Sequence, residues 1–512
     1  MKKVNKTKIY YTFIYFLLIF ILIKPTWLLN NQDLGSPGND DLSYWLHAAT
    51  IVYDFDFDYL KDYPLQEKAF NSVTNTPYHP PGAGYLSAPF VFFFSLFDKQ
   101  LPQRLNPVGS YAYIGYYLST LFYFLAGIEL IRRIIFNNKK FNNSTPVILF
   151  SLFTGTLCHY VVTRFLMSHA VEFFICCCIC YMYEIKDVLN SKKNLFNLIF
   201  FYFLLSITRP STFIYTLCLF LVYLKKEDIK FINYFYSLSL TTFFVTVHVL
   251  LSKKLYSTYS IFNNYQTNFN DQNFIEFDFS FVFSKLIYIP NLIFSFSFGL
   301  IWTIPVVAFG IVLLWRSSFF YDKNTFSKFF TFLYFFGAIV VVIVWQGRDV
   351  SFGQRLLVGL IPFCGLRLNE LLVNQKLKKI FIIFVSVSYL GYFYLYTSTN
   401  LNLSPGRTLW GNTVGLTGEK YFLYLFTEFY YLENILSAFS RTFIIVNLLN
   451  IFKFETIEKV LIKIISDPEK LNRLEELSSI YSNSPVTYFL LINFLVIIFS
   501  FIFASQITKK EI

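Results

Sequence analysis

The chain has 512 residues, 55% of them hydrophobic and only 14% charged, and its formal net charge is +12. A soluble domain carries about 25% charge, so this composition, with a mean hydropathy of +0.49, excludes a soluble globular enzyme and reads as a multi-pass membrane protein. The positive charge does not mark a nucleic-acid binder, because Lys and Arg gather in short clusters between apolar runs, which is the positive-inside pattern.

Lys2, Lys3, Lys6 and Lys8 precede the first apolar run, 9–23. No small-residue cleavage site follows at once, so it reads as an uncleaved helix with the N-terminus in the cytoplasm. An outer loop is expected over 24–110. It carries Gly38-Asn39-Asp40-Asp41-Leu42-Ser43-Tyr44-Trp45 and then Tyr78-His79-Pro80-Pro81-Gly82. Its apolar stretch 85–97 is too short to cross a bilayer, which needs about 20 residues, and reads as an interfacial helix. The next span, 111–130, ends at Arg132, Arg133, Lys139 and Lys140, placed in the cytoplasm.

Further spans are expected near 146–163, 169–185, 195–208, 211–224 and 231–251, with basic clusters at 186–193 and 225–230 inside. A second outer loop covers 252–284. Spans near 297–315, 328–346, 356–373 and 379–397 follow, then a third outer loop at 398–432. A weaker span at 435–452, a polar helical stretch at 455–481 on the cytoplasmic side and a last span at 486–505 complete the chain. The fold class is therefore all-α integral membrane: a bundle of about 12–13 transmembrane helices with interfacial helices in the first outer loop. Residues 1–397 form the expected catalytic region, and 398–512 a C-terminal segment. No internal repeat is visible.

The seven Cys give no metal or disulfide framework. Cys176, Cys177, Cys178 and Cys180 fall mid-span, where consecutive side chains point in different directions and cannot converge on one ion. The 66 Phe and 38 Tyr, with many Asn, Lys and Ile, fit an AT-rich genome, so aromatic abundance alone is no site signal.

Other short signals sit at expected outer ends of spans: Thr163-Arg164, Ser168-His169-Ala170, Thr208-Arg209-Pro210, Phe298-Gly299-Leu300 with Ile304-Pro305-Val306, and Trp345 to Arg355, WQGRDVSFGQR. Together with the Asp-Asp and His-Pro-Pro segments, they occur in the order found in membrane glycosyltransferases of the GT-C type, which this chain resembles over residues 10–375. The nearer likeness is to protein mannosyltransferase and aminoarabinose transferase-like members. One departure is Arg348, where the family pattern has a second Gly.

The resemblance implies an inverting sugar transferase at the outer or periplasmic face, using a polyprenyl-phosphate-linked donor and a lipid, glycan or protein acceptor. It places the catalytic base on Asp40 or Asp41, with Asp40 preferred. The residue types fit: a carboxylate can take an acceptor's proton, although the pair also suits a helix N-terminus. Arg355 is the expected phosphate partner, because its guanidinium stays charged and planar. His79 occupies the place where the family has a basic residue before Pro-Pro. Tyr78, Arg164, His169 and Arg209 are further substrate-contact candidates, with membrane-interface anchoring as the plainer role. Glu172 lies within a span and needs a partner, which His169 one turn away could supply. Tyr44, Trp45 and Trp345 could stack on sugar or isoprenoid. No cofactor is fixed by the sequence; adjacent Asp40 and Asp41 would suit a divalent cation, but no spacing selects one. The expected location is the bacterial inner or plasma membrane. Competing readings are a multispan lipid or saccharide transporter or flippase, an O-antigen-type ligase or polymerase, and a non-catalytic subunit of the same fold.

Overall fold

The computed structural model describes residues 39–59, 76–98, 107, 110–137, 145–153, 155–162, 164–184, 188–226, 231–259, 289–294, 299–316, 325–345 and 355–398, with 498, 499, 502 and 503. The expected first span, most of the second outer loop, the third outer loop, the 435–452 span, the 455–481 stretch and nearly all of 486–505 lie outside the described residues, as does Arg348. Every regular element described is helical.

The chain enters α1 (Asn39–Asp54) with Asp40 and Asp41 in its first turn, where the helix dipole favours carboxylates. Trp45, Leu46, His47, Ala48 and Ala49 on this helix are fully buried, so α1 is enclosed on every side rather than half-exposed. Trp45 packs between the rings of Tyr113 and Tyr116. It therefore fills the seam between α1 and α3 and has no free face for a sugar, unlike the stacking role open to it in the sequence. Truncating such a side chain costs about 3–5 kcal/mol.

The Pro80-Pro81 turn leads into α2 (Gly82–Ser95), which packs on α1 and on α3 (Tyr111–Asn137). The α1–α2 approach depends on Gly84: a Cβ there would lie 2.6 Å from both the Tyr44 carbonyl oxygen and His47 Cβ. Asp98 caps α3, accepting from the backbone N–H groups of Tyr111 at 2.7 Å and Ala112 at 3.0 Å, two of the donors that a helix start leaves unpaired. At the opposite end of α3, buried Glu129 receives Arg132 and Arg133.

The expected span 146–163 is two short helices, α4 (Thr145–Leu152) and α5 (Gly155–Val162). Next come α6 (His169–Glu184), α7 (Lys192–Thr208), α8 (Pro210–Lys226) and α9 (Phe231–Tyr256). Pro210 ends α7 one residue earlier, because the residue before a proline is driven out of helical conformation. Arg209 takes φ −147°, ψ 80° at that corner. A similar Pro305 break divides the 297–315 segment. There, α10 (Ile289–Phe294) and the single turn α11 (Leu300–Thr303) precede α12 (Pro305–Arg316). The described chain closes with α13 (Thr325–Trp345), a 3-10 turn over Arg355–Leu360, α14 (Ile361–Leu372) and α15 (Gln375–Ser398). Phe503 rests on Phe122 and Phe174.

Among the described residues, two helices are long and apolar enough to cross a membrane, Tyr111–Ile135 and Phe231–Tyr256. The first is buried inside the bundle. The second packs through Phe244 on Phe196, Phe200 and Phe203 and shows Phe231, Ile232, Phe235, Leu238, Phe243, Val245 and Leu250 outward. An apolar face of that extent is matched by hydrocarbon rather than water, so α9 is placed against lipid.

Candidate functional site

The site forms where the starts of α1, α6 and α8 meet the ends of α7 and α9. Asp40 is its centre. Arg355 at the head of the 3-10 turn donates from Nη1 to Asp40 Oδ2 at 3.1 Å, and Tyr78 donates its hydroxyl to Oδ1 at 3.2 Å. His79 Nε2 stands 4.0 Å from Oδ1. The Asp40 side chain is 29% exposed and that of Arg355 19%, so this ion pair borders open space. Burial opposes ionisation of Asp40, but the cations facing it outweigh that: His79 when protonated, Arg355 and Arg164. They hold the carboxyl well below the usual carboxylate range.

The neighbouring carboxylate faces elsewhere. Asp41 Oδ2 accepts both Nε and Nη2 of Arg164, at 2.9 and 2.5 Å. Its Oδ1 is buried and has no hydrogen-bond partner among the described residues. Burial lifts the Asp41 carboxyl, Arg164 only partly opposes this, and the Asp40 charge adds to the rise. Two adjacent carboxyls are thus pushed apart, one ionised and pinned by cations, the other drawn toward its neutral form.

His79 is clamped by its backbone. Its N–H donates to Ser43 Oγ at 3.0 Å, and its carbonyl accepts from His47 Nε2 at 2.8 Å and from the Tyr256 hydroxyl at 2.9 Å. A carbonyl only accepts, so His47 carries its proton on Nε2, and Nδ1 accepts from the Tyr59 hydroxyl at 2.7 Å. Burial pushes His47 down to about 3, and this neutral tautomer suits it. The His79 ring lies between Tyr44 and Tyr78, with centroids 4.7 and 4.4 Å away. Burial lowers His79 to about 4 despite the attraction of Asp40. It is neutral at pH 7, not half-titrated near 6.5 as an isolated imidazole would be.

Below this layer lies a second cluster. Tyr44 is fully buried, and its oxygen accepts from Ser168 Oγ at 3.1 Å and Arg209 Nη1 at 3.4 Å. The Arg209 guanidinium reaches Glu172 Oε2 at 3.5 Å. His169 Nδ1 stands 3.2 Å from the same oxygen and its ring packs on Tyr160, while Thr212 donates to Glu172 Oε1 at 2.5 Å.

The structure therefore brings Asp40, Tyr78, His79 and Arg355 into one group and gives Asp41 and Arg164 their own pair. His169 and Arg209 are set deeper, and His169 is wholly buried. Sequence reasoning missed Ser43, His47, Ser168, Thr212 and Tyr256. His47 had a faint signal, a histidine within an otherwise apolar run; Ser43 and Ser168 lay inside the Asp-Asp and Ser-His-Ala segments without an assigned role, and Thr212 and Tyr256 had no signal. Among the described residues no group of three or more His, Cys, Asp and Glu side chains converges as a metal site. The donor set is instead rich in Arg and His, which suits an anion.

No family model and no curated protein matches the chain. Among solved structures it is similar to ArnT from Cupriavidus metallidurans bound to undecaprenyl phosphate, at TM-score 0.47 and 11% identity, over 99% of this chain and 78% of that one. The apo state of the same protein gives TM-score 0.44 and 12% identity, over 98% and 77%. The Archaeoglobus fulgidus oligosaccharyltransferase in its apo form gives 0.43 and 12%, over 81% of this chain and 59% of that one. None of these likenesses assigns a role to a residue here.

Proposed function

We propose that the chain is an integral-membrane glycosyltransferase of the GT-C type. It transfers a sugar from a polyprenyl-phosphate-linked donor to an acceptor hydroxyl at the outer face, with inversion. The observation that carries this reading is the group around Asp40: one partly open, ionised carboxylate with a guanidinium, a phenol and an imidazole beside it. Such a group offers a proton acceptor and an anion holder within one reacting distance.

The chemistry follows from those roles. The acceptor oxygen attacks the anomeric carbon as the bond from that carbon to the phosphate oxygen breaks, and the lipid phosphate departs with the bonding electrons. One in-line displacement inverts the anomeric centre. Asp40 takes the acceptor proton. Arg355 and His79 meet the charge that grows on the departing phosphate, in a poorly hydrated place where such donors count most. The Asp40–Arg355 pair keeps the base weak until a phosphate arrives. An anion that draws the guanidinium away leaves Asp40 less stabilised as a carboxylate and so more basic.

His169, Arg209 and Tyr256 mark the ends of α6, α7 and α9 that meet at this site, with Arg164 in the turn before α6. Lys192 and Lys193 start α7 at its other end. Lys225 and Lys226 end α8 on that far side as well, against Lys253 and Lys254 in the last turn of α9 on the side of the site, and the larger share at the far ends supports an outward-facing site. The test is transfer by the purified protein in nanodiscs supplied with synthetic polyprenyl-phosphate sugars and envelope acceptors. Release of polyprenyl phosphate with formation of an inverted glycoside supports the reading. Passage of the intact donor across the membrane without bond cleavage replaces it with a flippase.

A further inference from the structure

Glu172 is wholly buried in the first turn of α6, does not touch the Asp40 group, and is assigned no role in the transfer described above. A buried carboxylate is costly unless its surroundings are built for it. Here they are built, and they lead in two directions.

The first direction is toward Arg355. Thr212 on α8 donates to Glu172 Oε1, and the single hydroxyl proton of Tyr215 one turn later is shared between Thr212 Oγ1 at 3.1 Å and the Leu356 carbonyl at 3.3 Å. The backbone of Gly359 lies directly on this cluster. A Cβ at Gly359 would sit 2.4 Å from Thr212 Cγ2 and 2.9 Å from Glu172 Oε1. Leu356 and Gly359 belong to the 3-10 turn that begins at Arg355. Glu172 and Thr212 thus form the floor on which the Arg355 turn rests.

The second direction is toward His79. Glu172 faces Arg209, Arg209 donates to the Tyr44 oxygen, and the Tyr44 ring packs on the His79 ring. Each link is a contact between buried side chains, so displacement at one end has little slack to absorb it.

We propose that Glu172 is a positioning residue for the phosphate site, setting Arg355 through Gly359 and His79 through Arg209 and Tyr44. It never touches the phosphate. Its removal should loosen both phosphate donors together while leaving the sites that hold the lipid and the sugar in place. This rests on the reading of the Asp40 group as a site for polyprenyl-phosphate-linked sugars.

The experiment compares two probes on full-length protein in nanodiscs: a synthetic polyprenyl phosphate and the polyprenol of equal length. Their affinity ratio isolates the phosphate contribution. Glu172→Gln keeps the shape and removes the charge; Thr212→Val removes one hydrogen bond and is the milder variant should the first fold poorly. Glu172→Gln is expected to lower the phosphate preference about tenfold, the scale of one hydrogen bond to a charged group, and Thr212→Val to lower it less. In an Arg355→Ala, His79→Ala background the Glu172→Gln effect on the ratio should vanish, because a residue acting through those two has nothing left to position. A purely structural carboxylate would weaken both probes in proportion or lower the melting temperature with the ratio unchanged; either result overturns the inference alone. A wild-type protein with no phosphate preference overturns the reading on which it rests.

Discussion

Asp40 and Arg355 are separated by 315 positions in the chain and meet at 3.1 Å, while Asp41, the next residue, turns to Arg164. This division predicts unequal consequences for two isosteric changes. Asp40→Asn removes the proton acceptor at a partly open position and should lower turnover by roughly 10²–10⁴-fold, the usual worth of general acid–base catalysis, with normal yield of folded protein. Asp41→Asn takes a carboxylate acceptor from the half-buried Arg164 guanidinium, so its main effect should be on stability, about 1–3 kcal/mol, and less on turnover. Single-turnover rates and thermal melts of both variants decide the matter; near-normal transfer by Asp40→Asn removes it as the base.

Arg355→Lys tests the fork. Lys retains charge but presents a single point of donation. It should bind the polyprenyl-phosphate-linked donor at least tenfold more weakly, about 1.4 kcal/mol, and Arg355→Ala more weakly still. Because Arg355 also holds Asp40 ionised, loss of the guanidinium should move the acidic limb of kcat/KM upward in pH. A limb that stays in place, with donor binding intact in Arg355→Ala, separates Arg355 from both functions.

How much of this was legible in the sequence differs by kind of residue. The Asp-Asp pair ahead of an apolar run, the Arg before Pro210 and the His before Pro80 stood out because charge or proline interrupts hydrophobic sequence, and interruptions are visible locally. The broken helices were less visible. Pro305 and the α4–α5 division fall inside stretches that read as continuous spans by hydropathy, which averages over windows and does not register a single turn out of place. The supports of the site were not visible at all. Thr212 meets Glu172 across 40 positions and Tyr256 meets His79 across 177, and each is an ordinary residue for its helix. Only the packing of α6, α8 and α9 gives them their partners.

The His79 ring predicts a pH dependence. Its folded pKa is about 4, below the unfolded value of about 6.5. The stability linked to its neutral form is therefore complete above about 6.5 and declines as pH falls toward 4. A bound phosphodiester opposes that depression by favouring imidazolium. Donor binding should then tighten as pH is lowered from 7 toward 5 with uptake of a proton, since the diester itself does not titrate in that window. The groups facing His79 are Asp40, Arg355, Arg209, Arg164, His47, Tyr44 and Tyr78, and only the two imidazoles change charge near this range; His47, with both nitrogens engaged, stays neutral. His79→Gln should flatten the dependence, and His79→Lys should keep strong binding without it. Calorimetry in buffers of different ionisation enthalpy counts the proton directly, and an unchanged slope in His79→Gln rules the imidazole out.

The membrane arrangement yields the last prediction. At 27 residues, α3 is about 40 Å long at 1.5 Å per residue, enough to cross a hydrocarbon core of about 30 Å. Asp98 caps its start, and Arg132 and Arg133 sit at its other end. Leu96, exposed beside the cap, should then lie on the same side as the Asp40 group. Lys193, exposed at the start of α7, should lie on the opposite, cytoplasmic side, because basic residues are retained there. In a background with the seven native Cys replaced, a membrane-impermeant maleimide added to intact cells should label Leu96→Cys. It should reach Lys193→Cys only after permeabilisation. Labelling of the two in the reverse order would invert the chain in the membrane and turn the site toward the cytoplasm, where the donor sugar and acceptor would have to be sought instead.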